Sequence, residues 1–361
     1  MYVAALTAAE PKAMMGREDL NGRERMETAL ELEMPDHVPI MSGMDAIIAK
    51  VAGRTVREYY SDSEIYTNTT ISVWKRLGFD EVFAWWPHVL PEAMGAKLAY
   101  PENDYPAIKS PLIKTEEDVD NLTLPDPKSD GKLPLVLKAM KTLDRKVGNQ
   151  VCLCGATYGL YTEMGNLMGF ERLLIETLKR SDILRKLSKI LLEAKIRFGE
   201  AMVDAGCRLI WMSEPMASPP ILPVHTYEET VLPAWIQLTK AFKKTGAYTL
   251  WHPCARANGE YAIFEQLLNG NADAISFSGT TDMKTVKETF THKKCVAGNL
   301  DPVLISHAST GTIEREVKKI INDAGGGGGF IFTPGCSIPL DTPLSSIEAM
   351  IKSARKFGKY P

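Results

Sequence analysis

Short apolar runs alternate with amphipathic stretches along most of the chain. Val151-Cys152-Leu153-Cys154, Arg208-Leu209-Ile210-Trp211-Met212, Ala247-Tyr248-Thr249-Leu250-Trp251, Ala274-Ile275-Ser276, Cys295-Val296-Ala297 and Phe330-Ile331-Phe332 each read as a buried strand. Apolar positions at helical spacing predict helices over 135–146, 170–179, 182–205, 226–244, 261–268, 283–289, 312–323 and 343–357. In residues 182–205 the stripe is Ile183, Leu187, Ile190, Leu191 and Ala194, and Gly206 closes the helix. Upstream, a helix opens at Asn21 with Met26, Ala29 and Leu30 on one face and is stopped by Pro35-Asp36. His37-Val38-Pro39-Ile40-Met41 is then a first strand. Asp62 is an N-cap for a helix through Leu77 that buries Ile65, Val73 and Leu77, and residues 81–86 form a second strand. From His88 to Pro127 the chain is Pro-rich and irregular, with a small hairpin expected around Leu98-Ala99-Tyr100.

Strands alternating with helices of this length mean βαβ units and a parallel sheet. About eight strand candidates suit a closed (β/α)8 TIM barrel, here with an N-terminal helical extension and an irregular insertion after an early strand. An open doubly wound sheet is the alternative, but no Gly-rich dinucleotide fingerprint follows the first strand. The expected organisation is a flexible leader over 1–20 and a single barrel domain over 21–361, since no linker or repeat divides it.

Composition narrows the class. At 361 residues, 45% apolar and 24% charged, the chain can bury a core without disulfide staples. A net charge of -3 lacks the basic footprint of a nucleic-acid binder. No apolar run approaches the roughly 20 residues that span a bilayer. Six scattered cysteines without a secretory signal fit a reduced, cytoplasmic setting. A homodimer is compatible with the sequence and not required by it.

Chemistry concentrates at the predicted carboxyl ends of strands, where a barrel places its catalytic residues. Leu250-Trp251-His252-Pro253-Cys254 ends one apolar run and Thr333-Pro334-Gly335-Cys336 another. His252, Cys254 and Cys336 form a three-ligand set with the composition of a catalytic zinc site, which keeps its fourth position open. Such a site would hold a substrate thiol as its thiolate. Buried Cys is also common as inert filler, and that is the reading adopted for Cys152 and Cys154, whose sulfurs fall on one face of a strand. Glu214, at the tip of the preceding strand, has three open roles: a displaceable fourth ligand, a base for the thiol proton, or a solvated loop carboxylate. Asp45, Tyr158 and Ser276 face the same end. Asp301, in Gly298-Asn299-Leu300-Asp301-Pro302, is either a turn residue or a group that orients a ligand. The run Gly325 to Gly329 precedes a strand and lacks the lysine and hydroxyl of a phosphate loop, so it reads as a connection. His88, His225, His292 and His307 have no partner pattern and read as surface or packing residues.

From about Asn21 onward the chain resembles the uroporphyrinogen decarboxylase superfamily, and within it the cobalamin-dependent, methylcobamide:coenzyme M-type methyltransferases. The resemblance rests on Gly22-Arg23-Glu24-Arg25, Pro35-Asp36-His37-Val38-Pro39, Glu214-Pro215-Met216-Ala217-Ser218, His252-Pro253-Cys254, Gly298-Asn299-Leu300-Asp301-Pro302, Pro334-Gly335-Cys336-Ser337-Ile338-Pro339 and Asp341-Thr342-Pro343. It implies a β/α-barrel, Zn2+ on His252, Cys254 and Cys336, and methyl transfer between a corrinoid (methylcobalamin) on a corrinoid protein and a small thiol-type or folate acceptor or donor. Around the H-x-C pair this chain has Pro253 and Ala255-Arg256 where that branch usually has an apolar residue and Gly, so its small-molecule pocket is expected to differ. The metal-free decarboxylase, the nearest rival, binds its tetrapyrrole with an early arginine-rich segment, whereas Ser42-Gly43-Met44-Asp45 follows the first strand here. A non-catalytic corrinoid or tetrapyrrole-binding barrel is the third reading.

Overall fold

The computed structural model describes residues 19–255 and 259–360. Most of the expected leader, together with Arg256, therefore lies outside the described residues. The strands are β1 (Glu81–Ala84), β2 (Leu98–Ala99), β3 (Ala107–Ile108), β4 (Cys152–Tyr158), β5 (Leu209–Ser213), β6 (Tyr248–His252), β7 (Ala274–Ser276), β8 (Cys295–Leu300) and β9 (Phe330–Pro334). Seven of them form one sheet in the order β1-β4-β5-β6-β7-β8-β9, and every neighbouring pair is parallel. The predicted first strand closes the ring without forming a regular ladder. Phe332 N donates to Pro39 O and Met41 N donates to Phe332 O, each at 2.8 Å, while Asp80 N donates to Ile40 O at 2.9 Å. Residues 37–41 thus bridge β9 to β1 and complete the (β/α)8 barrel. Pro39, between Val38 and Ile40, removes a ladder donor, which is why pairing stays at single bridges.

The helix Gly22–Leu30 plugs the amino end of the barrel. Asn21 and Glu24 cap each other's backbone in a capping box. Met26, Ala29 and Leu30 pack with Met41, Cys152, Cys154, Leu209, Leu250 and Ile331 inside the ring. Arg25 fixes the plug. It donates to both oxygens of Asp36 at 2.8 Å and to Asp80 at 2.6 Å. Asp80 in turn accepts from Ile40 N at 2.8 Å. The Gly-Arg-Glu-Arg and Pro-Asp motifs are therefore structural, and they sit at the end opposite the predicted chemistry. Cys152 and Cys154 belong to this packed interior, in keeping with inert filler.

The helix Ser63–Leu77 begins at Asp62, whose side chain accepts from Glu64 N and Ile65 N. Its buried face carries Tyr66, Thr67, Thr70, Val73 and Leu77, whereas Ile65 is only half-buried. The insertion after β1 contains the expected hairpin, β2 pairing antiparallel with β3. The stretch read as one helix over 226–244 is two helices, Val224–Thr230 and Leu232–Lys244, broken where Pro233 cannot donate. β4 does not stop at Gly155 but runs to Tyr158. Gly155 is retained inside the strand because a Cβ there would lie 2.9–3.0 Å from Met140, Cys207 and Met202 atoms. The helix Leu160–Met168 has no counterpart in the sequence reading. All nine of its residues are buried, so it shows no polar stripe from which a period could be read. The glycines 325–329 are the connection from the helix Thr310–Ala324 into β9. Among the described residues no helix is long and apolar enough to cross a membrane.

Candidate metal centre

At the carboxyl end of the barrel the structure brings His252, Cys254 and Cys336 together, with their ligand atoms all within 4.8 Å of one another. His252 is the last residue of β6, and Cys254 follows it in a left-handed turn with φ 54°. Cys336 follows β9 through Gly335, whose amide donates to Leu300 O at 2.8 Å. A Cβ at 335 would lie 2.3 Å from Gly279 N, so only glycine lets this turn close against its neighbour.

The sulfurs of Cys254 and Cys336 are 3.9 Å apart, and neither cysteine is in a disulfide. The His252 ring packs against Trp211 at 5.3 Å between centroids and is 2% exposed. Among the described residues neither His252 ring nitrogen meets a partner at hydrogen-bond geometry, although both are buried. Buried imidazole nitrogens are normally satisfied, so this ring has the environment of a ligand awaiting its ion. The Cys336 thiol is held well below its usual range by the hydrogen bond with Cys254, against an opposing desolvation, and by His252. One imidazole and two sulfurs, one of them favouring the thiolate, are a donor set that fits zinc.

These residues line a cavity of about 210 Å³. Its walls include Phe83, Trp85, Tyr158 and Trp211, each half-buried, with Asp45 and Ser337 on the rim of the same space. Trp85 meets Tyr158 edge-on at 5.8 Å, and His88 stacks on Tyr158 at 5.4 Å. His88 is thus a packing residue of the site wall, and burial lowers its pKa to about 4, which keeps it neutral. Asp45 accepts from Tyr105 OH and from Ala46 N (2.6 Å) on one oxygen and from Ser337 Oγ (2.8 Å) on the other. Burial raises its pKa to about 6, partly offset by those donors. The loop that carries Asp45 is held by the fully buried Glu81, which accepts from Ser42 N and Ser42 Oγ.

The other expected site residues are placed differently. Glu214 is 1% exposed and does not line the cavity. Its Oε1 accepts from Thr162 N at 2.6 Å and from Thr162 Oγ1, while its buried Oε2 has no hydrogen-bond partner. Its backbone nitrogen donates to His252 O at 3.0 Å, so it abuts the centre from behind. Burial raises its pKa to about 7, against the hydrogen bonds from Thr162. A solvated loop carboxylate is therefore the one role of the three that its burial removes. Ser276 is fully buried at the end of β7 and outside the cavity lining. Asp301 caps the helix Pro302–His307, accepting from Val303 N at 2.8 Å, and is also outside the lining. Asn299 of the same motif donates to Ser278 O and Thr281 O, tying down the loop after β7.

Sequence reasoning did not anticipate Tyr105, Ser337 or Lys195. Lys195 is completely buried behind β4, donating to Thr157 Oγ1 at 2.8 Å and to Tyr158 O, with Glu163 Oε1 at 3.7 Å. Only Ser337 had a legible signal, its adjacency to Cys336.

The fold and its motifs define a family. The chain belongs to the uroporphyrinogen decarboxylase family, whose profile, Uroporphyrinogen decarboxylase (URO-D), matches residues 21–357. It is 26% identical over 344 residues to the methylcobamide:CoM methyltransferase MtaA of Methanosarcina barkeri, spanning 93% of this chain and 98% of that protein. It is 27% identical over 279 residues to the uroporphyrinogen decarboxylase of Psychromonas ingrahamii, spanning 75% of this chain and 76% of that protein. A solved methyltransferase from Methanosarcina mazei has the same fold, with a TM-score of 0.84 at 23% identity over 94% of this chain and 99% of that one.

Proposed function

We propose that the protein is a zinc-dependent methyltransferase that moves a methyl group between a corrinoid carried by a partner protein and a small thiol-type acceptor or donor, in the cytoplasm. The observation that supports this most is the meeting of His252, Cys254 and Cys336 around orphaned imidazole nitrogens at the side of a cavity. Zinc held by those residues would supply a Lewis-acidic position at which a thiol loses its proton. The chain's own groups do the rest. His252 is fixed in orientation by Trp211, and its two nitrogens have no hydrogen-bond partner among the described residues. Half-buried aromatic walls exclude water around the reacting sulfur, and the open mouth lets a bulky methyl carrier approach from the carboxyl end. Glu214, buried against the His252 backbone behind the cavity wall, has no hydrogen-bond partner for Oε2 among the described residues.

Size argues for a small reactant over a folate. The cavity, about 210 Å³, is below the roughly 300–1,000 Å³ of pockets for drug-sized ligands. The decarboxylase relatives at similar identity supply the second reading. Against it, no Lys or Arg occurs among the described residues lining the cavity, and a tetrapyrrole with many carboxylates needs several. The test is loss of methylcobalamin absorbance on mixing with zinc-loaded protein and a panel of thiols. Turnover that requires thiol and stops on chelation is expected. Uroporphyrinogen decarboxylation that survives removal of all metal would overturn the proposal.

A further inference from the structure

The composition of the cavity separates the classes of small reactant it can hold. Four aromatic residues, Phe83, Trp85, Tyr158 and Trp211, line it, and aromatic rings attract cations, alkylammonium groups above all. Asp45 faces the same space. A carboxylate has about four acceptor positions, and three of those of Asp45 are filled, two on Oδ1 by Tyr105 and Ala46 and one on Oδ2 by Ser337. One acceptor position on Oδ2 is left over. The three donors come from the insertion, from the residue after Asp45 and from the residue after Cys336, so the carboxylate is held in place from separate segments of the chain. Among the described residues, the buried Lys195 is spent behind the wall on Thr157, Tyr158 O and Glu163. Among the described lining residues an anionic head would meet no Lys or Arg, but a carboxylate and aromatic rings. An ammonium would meet both favourably.

We infer that the small reactant carries an ammonium group, and that Asp45 with the aromatic rings of Trp85, Tyr158 and Trp211 selects it. The inference rests on the methyl-transfer reading only for what the bound molecule then does. The shared chemistry is the ammonium head, and it has two sources: a small aminothiol that accepts a methyl group, or a methylated amine that gives one.

The experiment is Kd measurement by tryptophan fluorescence at pH 8 on the full chain, with and without zinc. The zinc-loaded series is cysteamine, 2-mercaptoethanol and 2-mercaptoethanesulfonate, which differ only in the group remote from the thiol. The metal-free series is tetramethylammonium against tert-butanol, a neutral near-isostere. Cysteamine is expected to bind at least about tenfold tighter than the sulfonate, with 2-mercaptoethanol between them. Tetramethylammonium is expected to bind more tightly than the neutral isostere. Asp45→Asn should bring the cysteamine-to-sulfonate ratio towards one and leave the 2-mercaptoethanol Kd unchanged. Trp85→Leu, which leaves the carboxylate network intact, should weaken tetramethylammonium and serves if Asp45→Asn fails to fold. A sulfonate that binds as tightly as cysteamine, or a ratio unmoved in either variant, overturns the inference. Cation preference in a protein that binds no zinc would leave the inference standing and sink the methyl-transfer reading instead. Turnover of methylcobalamin by cysteamine marks the aminothiol as the source, and methylation of cobalamin by a methylated amine marks the other.

Discussion

Lys195→Met probes the pair behind the site wall. Lys195 and Glu163 have side-chain exposures of 0% and 3% and stand 3.7 Å apart, so solvent screening does not discount their interaction. Burial raises the pKa of Glu163 and lowers that of Lys195, and each partner opposes the shift in the other. Methionine fills nearly the same volume as lysine, so no large cavity opens. What remains is a buried carboxylate with Asn166 Nδ2 at 3.1 Å as its hydrogen-bond donor, and a Tyr158 carbonyl that has lost a donor. Removing one member of a buried pair costs about 3–5 kcal/mol. That is a large part of the about 5–15 kcal/mol that holds a typical protein folded. Adding Glu163→Gln removes the orphaned charge, and the double variant should recover to a loss of about 1–2 kcal/mol, the cost of the unsatisfied carbonyl. Urea midpoints at unchanged slope for the wild type, both single variants and the double variant complete the cycle. A loss below about 1 kcal/mol for Lys195→Met, or a double variant no better than the single, would refute the assignment of a buried ion pair.

Three further outcomes follow from the geometry. Gly159→Ala places a methyl 1.9 Å from Glu214 Oε2 at a backbone conformation any residue adopts, so it should destabilise by about 1–3 kcal/mol through the clash alone. Combined with Glu214→Ala the losses should be less than additive, and strict additivity would show that the clash is not with Glu214. Glu81 is fully buried, and burial raises its pKa from 4.5 to about 7. The native state therefore holds this proton more tightly than the unfolded chain does, and the stability this group contributes falls as pH rises from about 4.5 to 7. Glu81→Gln should flatten the stability profile in that window, measured by denaturation at several pH values, and an unchanged slope would show that Glu81 does not titrate there. Cys154→Ala, in the packed interior, should leave metal content unaltered, and loss of metal in it would contradict the filler reading.

Much of this barrel can be read from local patterns because its strands are short apolar runs and its outer helices are amphipathic. Asp62, Asn21 and the proline stops mark boundaries through backbone chemistry that needs no tertiary context. The reading fails where tertiary packing takes over. Leu160–Met168 is buried on every side and so carries no period. Gly155 looks like a strand terminator and is instead the price of close packing against Met140, Cys207 and Met202. The three candidate ligands are legible because each lies just past a strand end, where alternation and barrel topology fix the direction. The Asp45 network is not, since Tyr105 reaches it from an irregular insertion over a separation of 60 residues. Asp301, open in the sequence between a turn and a ligand-orienting role, caps the helix Pro302–His307.

Metal analysis of the purified protein and its ligand variants bears most directly on the central claim. The account predicts one zinc per chain in the wild type and in Cys154→Ala, and loss of that zinc together with methyl transfer in Cys336→Ala, Cys254→Ala and His252→Ala. A full zinc complement in Cys336→Ala would contradict it.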